Sequence, residues 1–119
     1  MKIDDNLVRK VIKTEEFDLY FLLLDERIKM KYDYVIQIMQ TQKIVSEKFV
    51  KKIQNTDLYE VRISVGTNEY RTMIVAVDNP NFMEATLVIL LNSFLKKDSK
   101  QYKREIEKAI LIMKREDLI

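Results

Sequence analysis

Arg62 and Arg71, together with the basic run that opens at Lys96-Lys97, are the residues of this chain best suited to chemistry. A guanidinium stays charged across the working pH range, and its planar fork can bind two phosphate or carboxylate oxygens at once. Lysines act as point charges that contact phosphates or shift the pKa of a neighbouring acid or base. From Lys96 to Arg104 there are five basic residues, Lys96, Lys97, Lys100, Lys103 and Arg104, against one acid, Asp98, giving +4 within nine positions. Tyr70 and Tyr102 add phenols that can donate a proton or stack on a base. The chemistry these types support is recognition of a phosphate ester, with cations offsetting the charge that builds on it. The competing reading is an ordinary solvated surface, with the arginines paired to Glu60 and Glu69, because short basic runs and outward-facing arginines are common on exposed faces.

Composition narrows the mechanisms. The chain has no cysteine and no histidine, which removes disulfides, thiolate zinc sites, thiol nucleophiles and imidazole acid-base chemistry together. Catalysis would fall to Arg, Lys, Tyr, Asp, Glu, Ser or Thr, and no metal or cofactor is expected. The net charge is only +2, from 21 Lys plus Arg against 19 Asp plus Glu, so the position of the charge carries more information than its sum. No apolar run approaches the ~20 residues of a membrane helix. The opening Met1-Lys2-Ile3-Asp4-Asp5-Asn6 lacks the apolar core of a signal peptide, and the expectation is a cytoplasmic protein that does not engage a membrane.

The elements that must position these residues follow from periodicity. At 119 residues, with one Gly, one Pro and 47% apolar residues, the chain is expected to form one domain over 1–119, rich in regular structure. Phe17, Tyr20, Phe21 and Leu24 recur at helical offsets behind Thr14, which predicts a capped helix from about 15 to 24. Ile28, Tyr32, Val35 and Met39 form a second stripe after a break at Asp25-Glu26-Arg27, completing a helical hairpin. Leu7 to Lys13 is read as an edge strand, and Ser46 to about Ile53 as a short third helix.

The period then changes to two. Tyr59, Val61, Ile63 and Val65 alternate with Glu60, Arg62 and Ser64, the pattern of a half-buried strand. A turn at Gly66-Thr67-Asn68-Glu69 leads to a return strand from Tyr70 to Val77. With Thr67 and Asn68 as loop residues, Val65 would face Tyr70 and Ile63 would face Thr72. That register turns Tyr70 inward and sets Arg62 and Arg71 diagonally on one outer, solvated face, with Met73, Val75, Ser64 and Glu60. Thr86 to Leu91 reads as a buried strand, and Asp98 or Ser99 caps a final helix carrying Ile106, Ala109, Ile110 and Met113. The class is α+β: an N-terminal helical hairpin, a small antiparallel meander, and a C-terminal helix.

From about Phe49 to Met113 the order of features resembles the RelE/HigB branch of the RelE/ParE superfamily, the toxins of bacterial type II toxin-antitoxin pairs. The features are Lys51-Lys52 at a helix end, Leu58-Tyr59-Glu60-x-Arg62, Tyr70-Arg71, an apolar strand, Phe94-x-Lys96-Lys97, and a helix with Glu105-Ile106-x-x-Ala109. The resemblance implies a RelE-like fold and a metal-independent messenger RNA endoribonuclease (mRNA interferase) acting on the ribosome, inhibiting translation and held in check by a helix-turn-helix antitoxin. It implies catalytic roles for Arg62, Arg71, Lys96 and Lys97, to which Tyr102 is added as a proton donor on its residue type alone. It also implies RNA contacts from Lys51, Lys52, Arg62, Arg71, Lys96, Lys97 and Lys100. Oligomerisation stays open. Asn92 stands where many relatives have histidine, and Lys100-Gln101-Tyr102 where they have a Lys-Thr-Pro step, so the proton-transfer residue is left unassigned. Two other classes stay open: a non-cleaving relative, either a ParE-like gyrase inhibitor or a degenerate toxin working by protein contact, and an adaptor using the aromatic helical hairpin.

Overall fold

The computed structural model describes residues 7–118; the expectation placed on Met1 to Asn6 lies outside them. The chain runs β1 (Lys10–Lys13), α1 (Glu15–Leu22), α2 (Glu26–Thr41), β2 (Val50–Lys52), β3 (Leu58–Val65), β4 (Asn68–Ala76), β5 (Leu87–Leu95) and α3 (Ser99–Arg115). The strands form one sheet in the order β1-β5-β4-β3-β2. Pairing is antiparallel except at the β1 edge, which runs parallel to β5. The helical hairpin forms as anticipated. Thr14 Oγ1 accepts from the Phe17 N–H at 3.3 Å and an Asp25 carboxylate oxygen from the Ile28 N–H at 3.1 Å, so each helix starts at an oxygen-bearing cap.

Two apolar clusters hold the fold, one on each face of the sheet. Phe17, Tyr32, Val35 and Met39 of α1 and α2 pack against Val61, Ile63, Tyr70, Ile74 and Leu90. On the opposite face, Ala109, Ile112 and Met113 of α3 pack against Leu58, Met73, Val75, Leu91 and Phe94. The sheet is therefore covered on both faces. The expected solvated face is corrected to a half-roofed one, because α3 needs an apolar surface on which to lay its stripe. Met73 and Leu91 have no exposed surface, and truncating either to Ala is expected to cost ~2–5 kcal/mol.

Three local expectations are corrected. Ser46 to Ile53 is a single turn followed by β2: the Phe49 and Val50 N–H groups both bond to Ser46 O, at 2.9 and 3.1 Å, and Val50–Lys52 then pairs with Val61–Tyr59. Lys51 and Lys52 consequently sit on a strand, not a helix end. The hairpin loop is Gly66-Thr67, since Val65 pairs with Asn68 and Ile63 with Tyr70. Gly66 has φ +62°, and Thr67 is not among the positive-φ residues, which matches the type II′ pattern with Gly in first place. The two-residue shift keeps every side chain on its expected face, so Tyr70 remains inward.

β5 carries one extra residue. Between the Thr72–Ser93 and Ile74–Leu90 pairs the partner strand advances three positions against two. This bulge opposes Leu91 and Asn92 to Met73 and lets both reach α3. Asn92 is 1% exposed and donates from Nδ2 to Glu105 O at 3.0 Å and Glu105 Oε1 at 2.9 Å.

Candidate active site

Strand register brings the cations together. Arg62 stands directly opposite Arg71, and Arg71 opposite Phe94; in the next row Lys51 faces Glu60 and Glu60 faces Met73. Opposed residues point to one face of an antiparallel pair, so Lys51, Glu60, Arg62 and Arg71 all lie on the α3 side. The diagonal placement of the two arginines is replaced by a direct one. Like charges so close require an anion between them.

Glu60 is that anion. Its Oε2 is 3.0 Å from Arg62 Nε and 3.6 Å from Arg71 Nε, and its Oε1 accepts the Tyr102 hydroxyl proton. Arg71 also reaches Glu69 Oε1 at 3.2 Å and Tyr70 O at 3.0 Å through Nη1. At 3.6 Å the Glu60 contact is Coulombic, and Arg71 Nε has no hydrogen-bond acceptor among the described residues. Arg71 is 3% exposed and Glu60 6%. A carboxylate this buried is tolerated because two guanidiniums and a phenol satisfy it. Glu69, in turn, is held below the usual carboxylate range, first by the Ser64 hydroxyl and then by Arg71.

A cleft of about 480 Å³ opens beside this cluster, lined by Glu60, Lys96, Lys97, Asp98, Ser99 and Tyr102. Its rim is fixed by the α3 start. Asp98 Oδ1 accepts from the Gln101 N–H at 2.8 Å, Gln101 Oε1 accepts from the Lys97 N–H at 2.8 Å, and Gln101 Nε2 donates to Leu95 O at 2.9 Å. Tyr102 lies edge-on to Phe94 with centroids 6.3 Å apart. Burial, then the hydrogen bond to Glu60, push its phenol well above the usual tyrosine range, so it is protonated at neutral pH.

The structure thus gathers Arg62, Arg71, Lys96, Lys97 and Tyr102 around one carboxylate and one cleft. Lys51 shares their face. Lys52 turns to the other face, its Nζ 5.0 Å from the Tyr59 ring centroid, and Lys100 is exposed on α3 outside the cleft lining. Asn92 lies beneath α3 and does not line the cleft. Glu60 is the expected face-mate and ion-pair partner of the arginines, on the Glu60-x-Arg62 spacing that puts both side chains on one strand face; its burial as the hub of the site is what sequence reasoning missed. Among the described residues no group of three or more His, Cys, Asp or Glu is placed to hold a metal ion.

No curated protein sequence matches this chain. A solved structure of an arginine-to-alanine mutant of the E. coli toxin RelE in the free state is similar over 87% of this chain and 96% of that one, with a TM-score of 0.60 and 12% identity. The isolated E. coli RelE toxin covers 83% and 96%, with a TM-score of 0.52 and 13% identity. The fold is therefore RelE-like, as the resemblance implied. A family model described as phage derived protein Gp49-like matches residues 20–114, from α1 through nearly all of α3, and the chain belongs to that family.

Proposed function

We propose that this protein is the toxin of a type II toxin-antitoxin pair and cuts translated messenger RNA without a metal, its partner a helix-turn-helix antitoxin. The observation that carries the reading is the convergence of Arg62, Arg71 and Tyr102 on the Glu60 carboxylate beside a lysine-rimmed cleft. Donors arranged around one carboxylate are also arranged to receive phosphate oxygens. The RelE-like fold and the Gp49-like family support the coarser part of the proposal.

The chemistry follows from competition between the two anions. When the scissile phosphate takes the guanidiniums of Arg62 and Arg71, the Glu60 carboxylate is released from them and is free to act as the base. It accepts the ribose 2′-hydroxyl proton as the 2′-oxygen bonds to phosphorus. The arginines, with Lys96 and Lys97, offset the charge on the phosphoryl oxygens. The P–O5′ bond breaks and Tyr102 gives its phenolic proton to the leaving 5′-oxygen, leaving a 2′,3′-cyclic phosphate and a 5′-hydroxyl. Tyr102 then regains a proton from Glu60, to which it is already hydrogen-bonded.

A second reading rests on the burial of Arg71 and on Glu60 already holding the guanidiniums. In that reading Glu60 is a permanent internal anion, and the chain is a non-cleaving relative, ParE-like or degenerate, acting through protein contacts. Glu60→Gln separates the two when RNA affinity and cleavage are measured together. The nuclease reading predicts undiminished affinity with cleavage slowed about 100-fold or more. A wild-type protein that neither binds nor cuts, and a Glu60→Gln variant that binds without cutting, would favour the second.

A further inference from the structure

A second depression lies across Arg62 from the cleft, between α2, β3 and the segment that leads into β2. It measures about 260 Å³ and is lined by residues that include Lys31, Lys48, Arg62, Tyr34 and Phe49, with no acidic residue among them. Tyr34 is 52% exposed. It lies on the solvent side of α2, away from the Tyr32, Val35 and Met39 stripe that packs the core, so its ring is not part of that core. The Tyr34 and Phe49 rings meet edge-on, 6.3 Å apart at 75°. Lys31 Nζ is 5.7 Å from the Tyr34 centroid and Lys48 Nζ 5.5 Å from that of Phe49. Arg62 joins the two depressions: Nε holds Glu60 at 3.0 Å, while Nη1 turns to Glu47 O at 3.5 Å.

We infer that this pocket takes an unstacked nucleobase of the RNA strand, next to the phosphate held in the cleft. The inference rests on the RNA-binding reading above and adds a subsite to it. Exposed aromatic faces interleaved with cations are what single-stranded RNA uses: rings stack on bases of any identity, and Lys and Arg follow the phosphates. The volume sits just below the ~300–1,000 Å³ of small-molecule pockets, which suits a single planar base better than a whole nucleotide. An acidic peptide would engage the lysines but leave the Tyr34 face without a partner. An RNA strand engages both, its base meeting the ring and its flanking phosphates the lysines.

The test is fluorescence anisotropy with a labelled hexaribonucleotide whose 2′-oxygens are methylated to prevent cutting, and with an abasic version of it. The variants are Tyr34→Leu, which keeps apolar bulk, and Tyr34→Phe, which keeps the ring. Tyr34→Leu should weaken binding of the intact oligonucleotide about tenfold, the lower half of the range for one stacked base, while Tyr34→Phe stays within about twofold of wild type. On the abasic strand all three proteins should bind alike. Unchanged affinity in Tyr34→Leu, or an equal loss on the abasic strand, would overturn the subsite and leave the nuclease reading standing. So would a hexaglutamate peptide that loses affinity with Tyr34→Leu while RNA does not. Wild-type protein that binds neither oligonucleotide would overturn both.

Discussion

Tyr102, Glu60 and Arg71 are interdependent, and substitutions at them separate chemistry from stability. Tyr102→Phe removes one proton donor while keeping the ring on Phe94. Cleavage is expected to slow by roughly 100-fold, with a stability loss of about 1–2 kcal/mol from the missing bond to Glu60; message cleavage and urea unfolding read the two effects. Arg71→Ala is a poorer probe, because it strips a buried carboxylate of a partner and should cost ~3–5 kcal/mol. Arg9 shows the same physics away from the cleft. It is 1% exposed, donates to the carbonyls of Met39, Gln42, Lys43, Phe82 and Met83, and stacks on Phe82 at 4.2 Å. Arg9→Met should cost more than ~3 kcal/mol, since several buried acceptors lose their donor at once; a lowered urea midpoint at constant slope checks this. Arg62 and Arg71 were legible as a pair because strand alternation fixes their face. Glu60 was legible as their neighbour but not as a buried hub, because an acid on an alternating strand looks solvated until α3 closes over it. Arg9 carries no local signal, for all of its acceptors lie 30 to 74 residues away along the chain.

At the scale of elements, the helices and the β3–β4 hairpin were legible because their periodicity and caps are local. What failed depended on chemistry between elements. The hairpin loop was set one position late because Asn68 is a good turn residue, whereas Gly66 in first place selects a tighter loop. A Cβ built on Gly66 meets nothing within 4 Å, so the cost of a side chain there comes from the backbone alone. Gly66→Ala should destabilise by about 1–2 kcal/mol and Gly66→Asn by less, as thermal unfolding would show. β2 was misread as helix because Ser46 begins a real turn, and only pairing with β3 makes Val50–Lys52 extended. The bulge in β5 had no advance signal, since it places Leu91 and Asn92 under a helix that lies later in the chain.

At the scale of the whole molecule, α3 closes one face of the sheet and forms the cleft with the strands, and its far end is tied to α1 by a bidentate pair between Arg115 and Glu16. The hydrogen bond from Arg115 holds Glu16 below the usual carboxylate range; Glu69 is lowered by Ser64 and Arg71, and Asp78 by Thr86 and Leu87. Depressed carboxylates release protons on folding, so their stabilisation is complete above the ordinary Glu value of 4.5 and is lost as pH falls through the lower folded values. The melting temperature should therefore fall below that pH, and Glu16→Gln combined with Glu69→Gln should flatten the dependence. The Arg115–Glu16 pair is partly exposed, so solvent screening leaves it only a small share of the stability. Among the described residues no helix is long and apolar enough to cross a membrane. The most direct test of the nuclease reading is primer extension on message from a translating extract given wild-type protein or Tyr102→Phe. New cuts within translated codons are expected with wild type and almost none with Tyr102→Phe; intact message at high wild-type concentration would contradict the nuclease reading.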